Sequence, residues 1–148
     1  MLTDTLRSLF SRDLNKLKEE LELYKDEANI WRIDGNILNA AGNLCLHLVG
    51  NLNTYIGGVL GQSGYIRNRP EEFSLKDIPR SELISKIEKT IEVLNATLPL
   101  ITEEQMQEEY PQHIDGNKLT TGYFLVHLAT HLGYHLGQVN YHRRLLDR

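Results

Sequence analysis

The last quarter of the sequence contains histidines at a spacing that could bind a metal ion. His127, His131 and His135 recur every four residues in the stretch HLATHLGYHLGQ. In an α-helix, residues four apart lie on one face, about 6 Å apart along the axis, so two imidazoles can reach one ion through bonds of about 2.1 Å. Residues eight apart are separated by about 12 Å and cannot share an ion. The chelating pair is therefore His127 with His131, or His131 with His135.

A third ligand must come from another segment, and His47 is the candidate. It lies in LCLHLVGNL, mid-way along a predicted helix, with Asn43 and Asn51 one turn away on either side. Polar residues at the edge of an apolar stripe need partners, which a cleft with a metal ion would supply. Two histidines four apart and one from a facing helix leave a coordination position open, as in catalytic sites. Histidines that are partly exposed or hydrogen-bonded locally explain the same spacing equally well.

Protease chemistry and cysteine chemistry have less support in the sequence. The residues between His131 and His135 are LGY, so the HExxH metalloprotease pattern lacks the glutamate that serves as its general base. Cys45 lies about 200° around the helix from His47, and we interpret it as a small core residue. His142 continues the histidine face next to two arginines, and we expect it at the surface or in an interface.

The segment YIRNRPEEF contains two arginines that could contribute to binding. Arg67 and Arg69 could hold the carboxylates of a cofactor or of an acidic substrate by planar, bidentate pairing. The alternative is a solvated loop in which they pair with Glu71 and Glu72, and this simpler interpretation is favoured.

Four long segments with apolar residues at helical spacing would position these side chains. They cover about residues 3–29, 36–60, 80–98 and 119 to nearly the end of the chain. The connections before the third and fourth segments, rich in Gly, Asn and Pro or in acidic residues, are both long. The pattern predicts an all-α four-helix bundle with at least one long crossover connection, in a single domain over residues 1–148.

Composition and charge exclude several classes of function. A net charge of −4 argues against nucleic acid as the main partner, which usually requires a basic face. The sequence shows no signal peptide and no window near about 18 apolar residues, so we expect no membrane span. The single cysteine suits a reducing compartment, and we expect a cytoplasmic protein.

The histidine pattern resembles that of the DinB/YfiT-like superfamily of small bacterial four-helix proteins. The matching pieces are LCLHLVGNL, which holds His47, and THLGYHLGQVNYHRRLL, in which HxxxH is followed closely by Gly137–Gln138. The resemblance covers the whole chain in the order and length of its helices. It implies that His47, His131 and His135 bind a divalent ion such as zinc or nickel, and that the protein is a homodimer.

His127 is left outside that ligand set. It lies one turn before the pair, where it could hydrogen-bond a ligand, shuttle a proton or contact a substrate. A histidine that bridges two helices is an equally good explanation of the same position.

Characterised members of that superfamily are thiol S-transferases that use bacillithiol or glutathione, and a mycothiol-dependent maleylpyruvate isomerase. The resemblance therefore implies a metal-dependent S-transferase that joins an external low-molecular-weight thiol to a small-molecule electrophile. A bound divalent ion lowers the pKa of a thiol, which agrees with this chemistry. Two alternatives stay open: a hydrolase that uses metal-bound water, and a non-catalytic bundle that binds a metal or a small molecule.

Overall fold

The computed structural model describes residues 1–148 and is all-α, with two isolated β-bridges. Its α-helices are α1 (Leu2–Leu23), α2 (Ala41–Leu52), α3 (Arg69–Ser74), α4 (Arg80–Thr97), α5 (Glu103–Gln107) and α6 (Thr121–Leu146). The long helices α1, α2, α4 and α6 occupy the four predicted segments and confirm the helical bundle. No helix has the length and apolar character needed to cross a membrane.

The four long helices enclose one core of buried apolar side chains. Helix α1 contributes a stripe at helical spacing, formed by Leu6, Phe10, Leu14, Leu17 and Leu21. Helix α1 packs against α4 and α6, and α2 packs against the same two helices. Helices α1 and α2 therefore lie diagonally across the bundle, so the chain crosses one end of the bundle between them. The long connection that contains α3, by contrast, joins α2 to its neighbour α4.

The first predicted helix ends earlier than expected, at Leu23, and a 3₁₀ turn follows at Glu27–Trp31. Arg80, at the start of α4, donates from Nη1 to the carbonyl oxygens of Leu21, Glu22 and Tyr24 at 3.0–3.1 Å. These contacts satisfy carbonyl groups that the end of a helix leaves without partners. The boundary therefore depends on a residue that is distant in the sequence.

The second predicted helix begins later than expected, at Ala41, and changes form before it ends. Beyond Leu52 it continues as a π-helix over Asn53–Leu60. The Asn53 side chain donates to the Val49 carbonyl at 2.8 Å, and Tyr110 donates to the Tyr55 carbonyl at 2.6 Å. Side chains thus contribute hydrogen bonds where the α-helical pattern is interrupted, and such π segments often lie beside functional sites.

Candidate metal centre

Helices α2 and α6 bring three of the histidines together. The two helices run antiparallel, since the ring of Tyr55 meets Phe124 while His47 meets His135. The Nε2 atom of His131 lies 3.3 Å from that of His47 and 3.2 Å from that of His135. The ligand atoms of all three side chains lie within 4.8 Å of one another. They lie close enough together to hold a metal ion.

The spacing of these nitrogen atoms fits a tetrahedral ion. Two nitrogens bonded to zinc at about 2.0–2.1 Å with tetrahedral angles stand about 3.3–3.4 Å apart, close to the separations that the structure shows. The Nδ1 of His47 donates to Glu72 Oε1 at 3.1 Å, and that of His135 donates to Gln138 Oε1 at 2.7 Å. Both Nε2 atoms therefore carry lone pairs that point towards His131. One proton on His131 could satisfy only one of them, whereas a cation would satisfy all three nitrogens.

Burial keeps the central imidazole in the form that binds metals. Burial, with the neighbouring His135 and His47, lowers the pKa of His131 to about 4. Burial also lowers the pKa of His47, although its hydrogen bond with Glu72 acts in the opposite direction. A neutral imidazole is the ligating form, so at neutral pH these side chains do not have to release a proton before they bind an ion.

Glu72 is a site residue that the sequence did not single out. Its side chain extends from α3 and is 6% exposed, and its Oε1 accepts the hydrogen bond from His47. Arg67 donates to both of its oxygens, from Nε at 2.8 Å and from Nη2 at 3.0 Å. Burial lowers the pKa of Arg67, but the pairing with Glu72 outweighs it and raises that pKa above its ordinary value. Glu72 thus fixes the tautomer and the orientation of His47, as carboxylates commonly do for metal-binding histidines.

Two residues of α2 allow Glu72 to lie beside His47: one hydrogen-bonds the backbone of α3, and the other leaves space for the carboxylate. Asn43 donates from Nδ2 to the carbonyl oxygens of Glu72 and Leu75, at 3.0 and 2.9 Å, which ties α3 to α2. On the other side of His47, a Cβ at Gly50 would overlap Oε2 of Glu72. The glycine therefore provides the space that the carboxylate occupies. These two positions explain why α2 carries a polar residue and a glycine around its histidine.

Arg67, Arg69 and His127 lie near the three histidines but differ in their exposure and in their contacts. Arg67 pairs with Glu72, but their side chains are only 14% and 7% exposed, so this is not the solvated pairing that the simpler interpretation expected. Arg67 also lies over the Tyr55 ring at 5.9 Å. Arg69 is exposed and lies over Phe73 at 5.4 Å, and the Phe73 ring in turn contacts His47 at 5.1 Å between centroids. His127 is exposed and stacks on His131 at 6.4 Å, outside the group of converging nitrogens.

His142 is buried inside the bundle, so the expectation that it lies at the surface or in an interface is wrong. It is 3% exposed, and the Tyr24 hydroxyl lies 2.7 Å from its Nδ1. Its Nε2 lies 2.8 Å from the carbonyl oxygen of Arg32. Because a carbonyl can only accept, Nε2 carries the proton and Nδ1 accepts from Tyr24. Both ring nitrogens therefore have protein partners, which makes His142 a structural residue.

The protein is an all-α four-helix bundle with three converging histidines between its second and last long helices. The chain belongs to the DUF1572 family, described as proteins of unknown function, whose family model matches residues 3–148. Among solved structures it is similar to the crystal structure of a conserved protein from Enterococcus faecalis, with 19% sequence identity and a TM-score of 0.74. That similarity covers 97% of this chain and 96% of the other, and it shows a shared fold. No match was found among curated proteins.

Proposed function

We propose that the chain is a DinB-like, metal-dependent thiol S-transferase in which His47, His131 and His135 hold a zinc or nickel ion. The convergence of their three Nε2 atoms, at separations that suit tetrahedral coordination, is the observation that carries this proposal. A bound divalent ion would lower the pKa of an external thiol and hold its sulfur for attack. Three histidines leave room for that additional ligand.

The cysteine of the protein does not supply the sulfur. Cys45 is the only cysteine in the chain and is completely buried. Burial raises the pKa of its thiol to about 12, so it stays protonated and inaccessible at neutral pH. A small thiol from solution is therefore the natural nucleophile.

The surrounding residues take complementary roles in this proposal. Glu72 orients His47 and is itself held by Arg67. Arg69, exposed on Phe73 beside His47, pairs with a carboxylate of the thiol cofactor. His127, exposed and one turn from His131, accepts the thiol proton. The sulfur then forms a bond to the electrophilic carbon, and the leaving group departs with its electron pair.

Cobalt substitution tests this function without knowledge of the electrophile. The protein is reconstituted with cobalt(II), and glutathione or free cysteine is added while the near-ultraviolet absorption is recorded. We expect a thiolate-to-cobalt charge-transfer band that S-methylglutathione does not produce, because methylation removes the ionisable thiol. Absence of the band with every thiol, in protein that has bound cobalt, would contradict the proposal. Turnover of an ester or amide without any thiol would favour a hydrolase.

A further inference from the structure

A cavity of about 360 Å³ lies between the segment before α2 and the last turns of α6. Its walls are mostly apolar and include Ile37, Leu38, Leu44, Tyr141 and Leu145. Leu38 is 84% exposed and Tyr141 is 66% exposed, so these large apolar side chains stand open to solvent. The volume lies in the lower part of the range of small-molecule sites, about 300–1,000 Å³. It suits a single ring or a short chain.

The cavity adjoins the candidate metal centre through two of its lining residues, Leu44 and Gln138. Leu44 precedes His47 by three residues on α2, and Gln138 follows His135 by three residues on α6. Residues three apart on a helix are neighbours, separated by about 4.5 Å along the axis. Gln138 lines the cavity and also accepts the hydrogen bond from Nδ1 of His135. A molecule that contacts Leu44 and Gln138 would therefore touch residues that lie one helical turn from His47 and His135.

The lining selects an uncharged occupant. No Asp, Glu, Lys or Arg side chain lines the cavity, and its polar groups include the amides of Asn36, Asn39 and Gln138. His142 also lines it, but the Tyr24 hydroxyl and the Arg32 carbonyl engage both of its ring nitrogens. A charged group placed here would lose its hydration without gaining an ion pair. Apolar surface would gain contact with side chains that water otherwise covers.

We propose that this cavity binds the uncharged, apolar or aromatic part of the electrophile that the thiol attacks. The inference rests on the proposed function and names the substrate class of the same site. The sulfur–carbon bond forms beside His135 and Gln138, while the bond from that carbon to its leaving group breaks and the group departs with the electron pair. The charged thiol cofactor binds on the side of Arg69, and the electrophile binds in the cavity.

Benzyl alcohol, with benzoate as its charged counterpart, is the probe. Binding is measured by ligand-observed NMR on zinc-loaded and cobalt-loaded protein. We expect benzyl alcohol to bind more tightly than benzoate, and cobalt to enhance the relaxation of its ring protons relative to zinc. Tyr141→Ala should weaken binding by about tenfold, the loss expected for one aromatic contact. Tyr123→Ala is the matched control, since Tyr123 is 64% exposed on the same helix and does not line the cavity.

The outcomes separate this inference from the function on which it rests. If cobalt binds and gives the thiolate band, but Tyr141→Ala leaves the affinity for benzyl alcohol unchanged, the cavity is not the site and the transferase proposal survives. Bound probe whose relaxation cobalt does not alter would also overturn the inference. If light scattering instead shows that Tyr141→Ala converts a dimer to a monomer, while binding of the probe is unaltered, the surface around the cavity is an interface between two copies of the chain. If no metal binds, the proposed function fails and the inference fails with it.

Discussion

Replacing Gly50 by alanine separates helix propensity from the packing of the candidate metal centre. Gly50 lies inside α2, three residues after His47, and a new Cβ would overlap Oε2 of Glu72 and lie 2.7 Å from its Cδ. Contacts that close require the carboxylate to move. Its hydrogen bonds from His47 and from Arg67 would then be lost or lengthened.

The two effects of this substitution have opposite signs. Alanine is favoured over glycine in the interior of a helix by about 1 kcal/mol, which alone would stabilise the protein. Removing one partner of a buried ion pair costs about 3–5 kcal/mol. We therefore expect a net loss of about 2–4 kcal/mol in the free energy of unfolding. The zinc affinity should fall by about 10–100-fold, because His47 loses the partner that orients it.

Urea unfolding of metal-free protein measures the change in stability, and competition with a chromophoric chelator measures the zinc affinity. Gly137→Ala is the control, since Gly137 also lies inside a helix but has nothing within 4 Å of the new Cβ. We expect that variant to be as stable as the wild type or slightly more stable, with unchanged affinity. A Gly50→Ala variant that behaves like the control would refute the role assigned to Glu72.

Three further predictions follow from buried groups. Cys45 should not react with 5,5′-dithiobis(2-nitrobenzoate) in the native protein, because its thiol is fully buried and burial raises its pKa. The same thiol should react in denaturant. Rapid labelling of the native protein would contradict the buried position of Cys45. Burial lowers the pKa of His131 to about 4 and also lowers that of His142, from an ordinary 6.5. Between pH 6.5 and 4 the unfolded chain therefore binds more protons than the folded protein does, so the free energy of unfolding of the metal-free protein in urea should decrease as the pH is lowered. A free energy of unfolding that stays constant over this range would contradict the prediction. Asp147→Ala removes acceptors for the backbone N–H groups of Lys25 and Asp26 and should cost about 2–3 kcal/mol in urea unfolding, whereas a loss near zero would show that these contacts contribute little.

The long helices and the histidine pair can be predicted from the sequence because the residue patterns that indicate them are local. Apolar spacing predicts the four long helices, and HxxxH restricts the chelating pair to two choices that share His131. The choice of His135 as its partner came from the resemblance, through the Gly-Gln pair that follows. In the structure Gln138 hydrogen-bonds His135, which gives that pair a physical meaning.

Features that depend on distant residues could not be predicted in the same way. Glu72 lies in a loop-like stretch, and its importance depends on Gly50 and Asn43, which are 22 and 29 residues away. His142 lies on the predicted histidine face but is buried, because its partners Tyr24 and Arg32 come from the other end of the chain. Tertiary contacts of this kind leave no periodic signal in the sequence.

Metal content per chain, measured on tag-free protein by elemental mass spectrometry, decides whether the three histidines bind an ion. The comparison includes the wild type and the four variants His47→Ala, His131→Ala, His135→Ala and His127→Ala. We expect about one divalent ion per chain in the wild type, lost in the first three variants and retained in His127→Ala, since three imidazoles complete the protein's share of a catalytic site. A wild-type protein without metal, or a metal lost only in His127→Ala, would contradict this expectation.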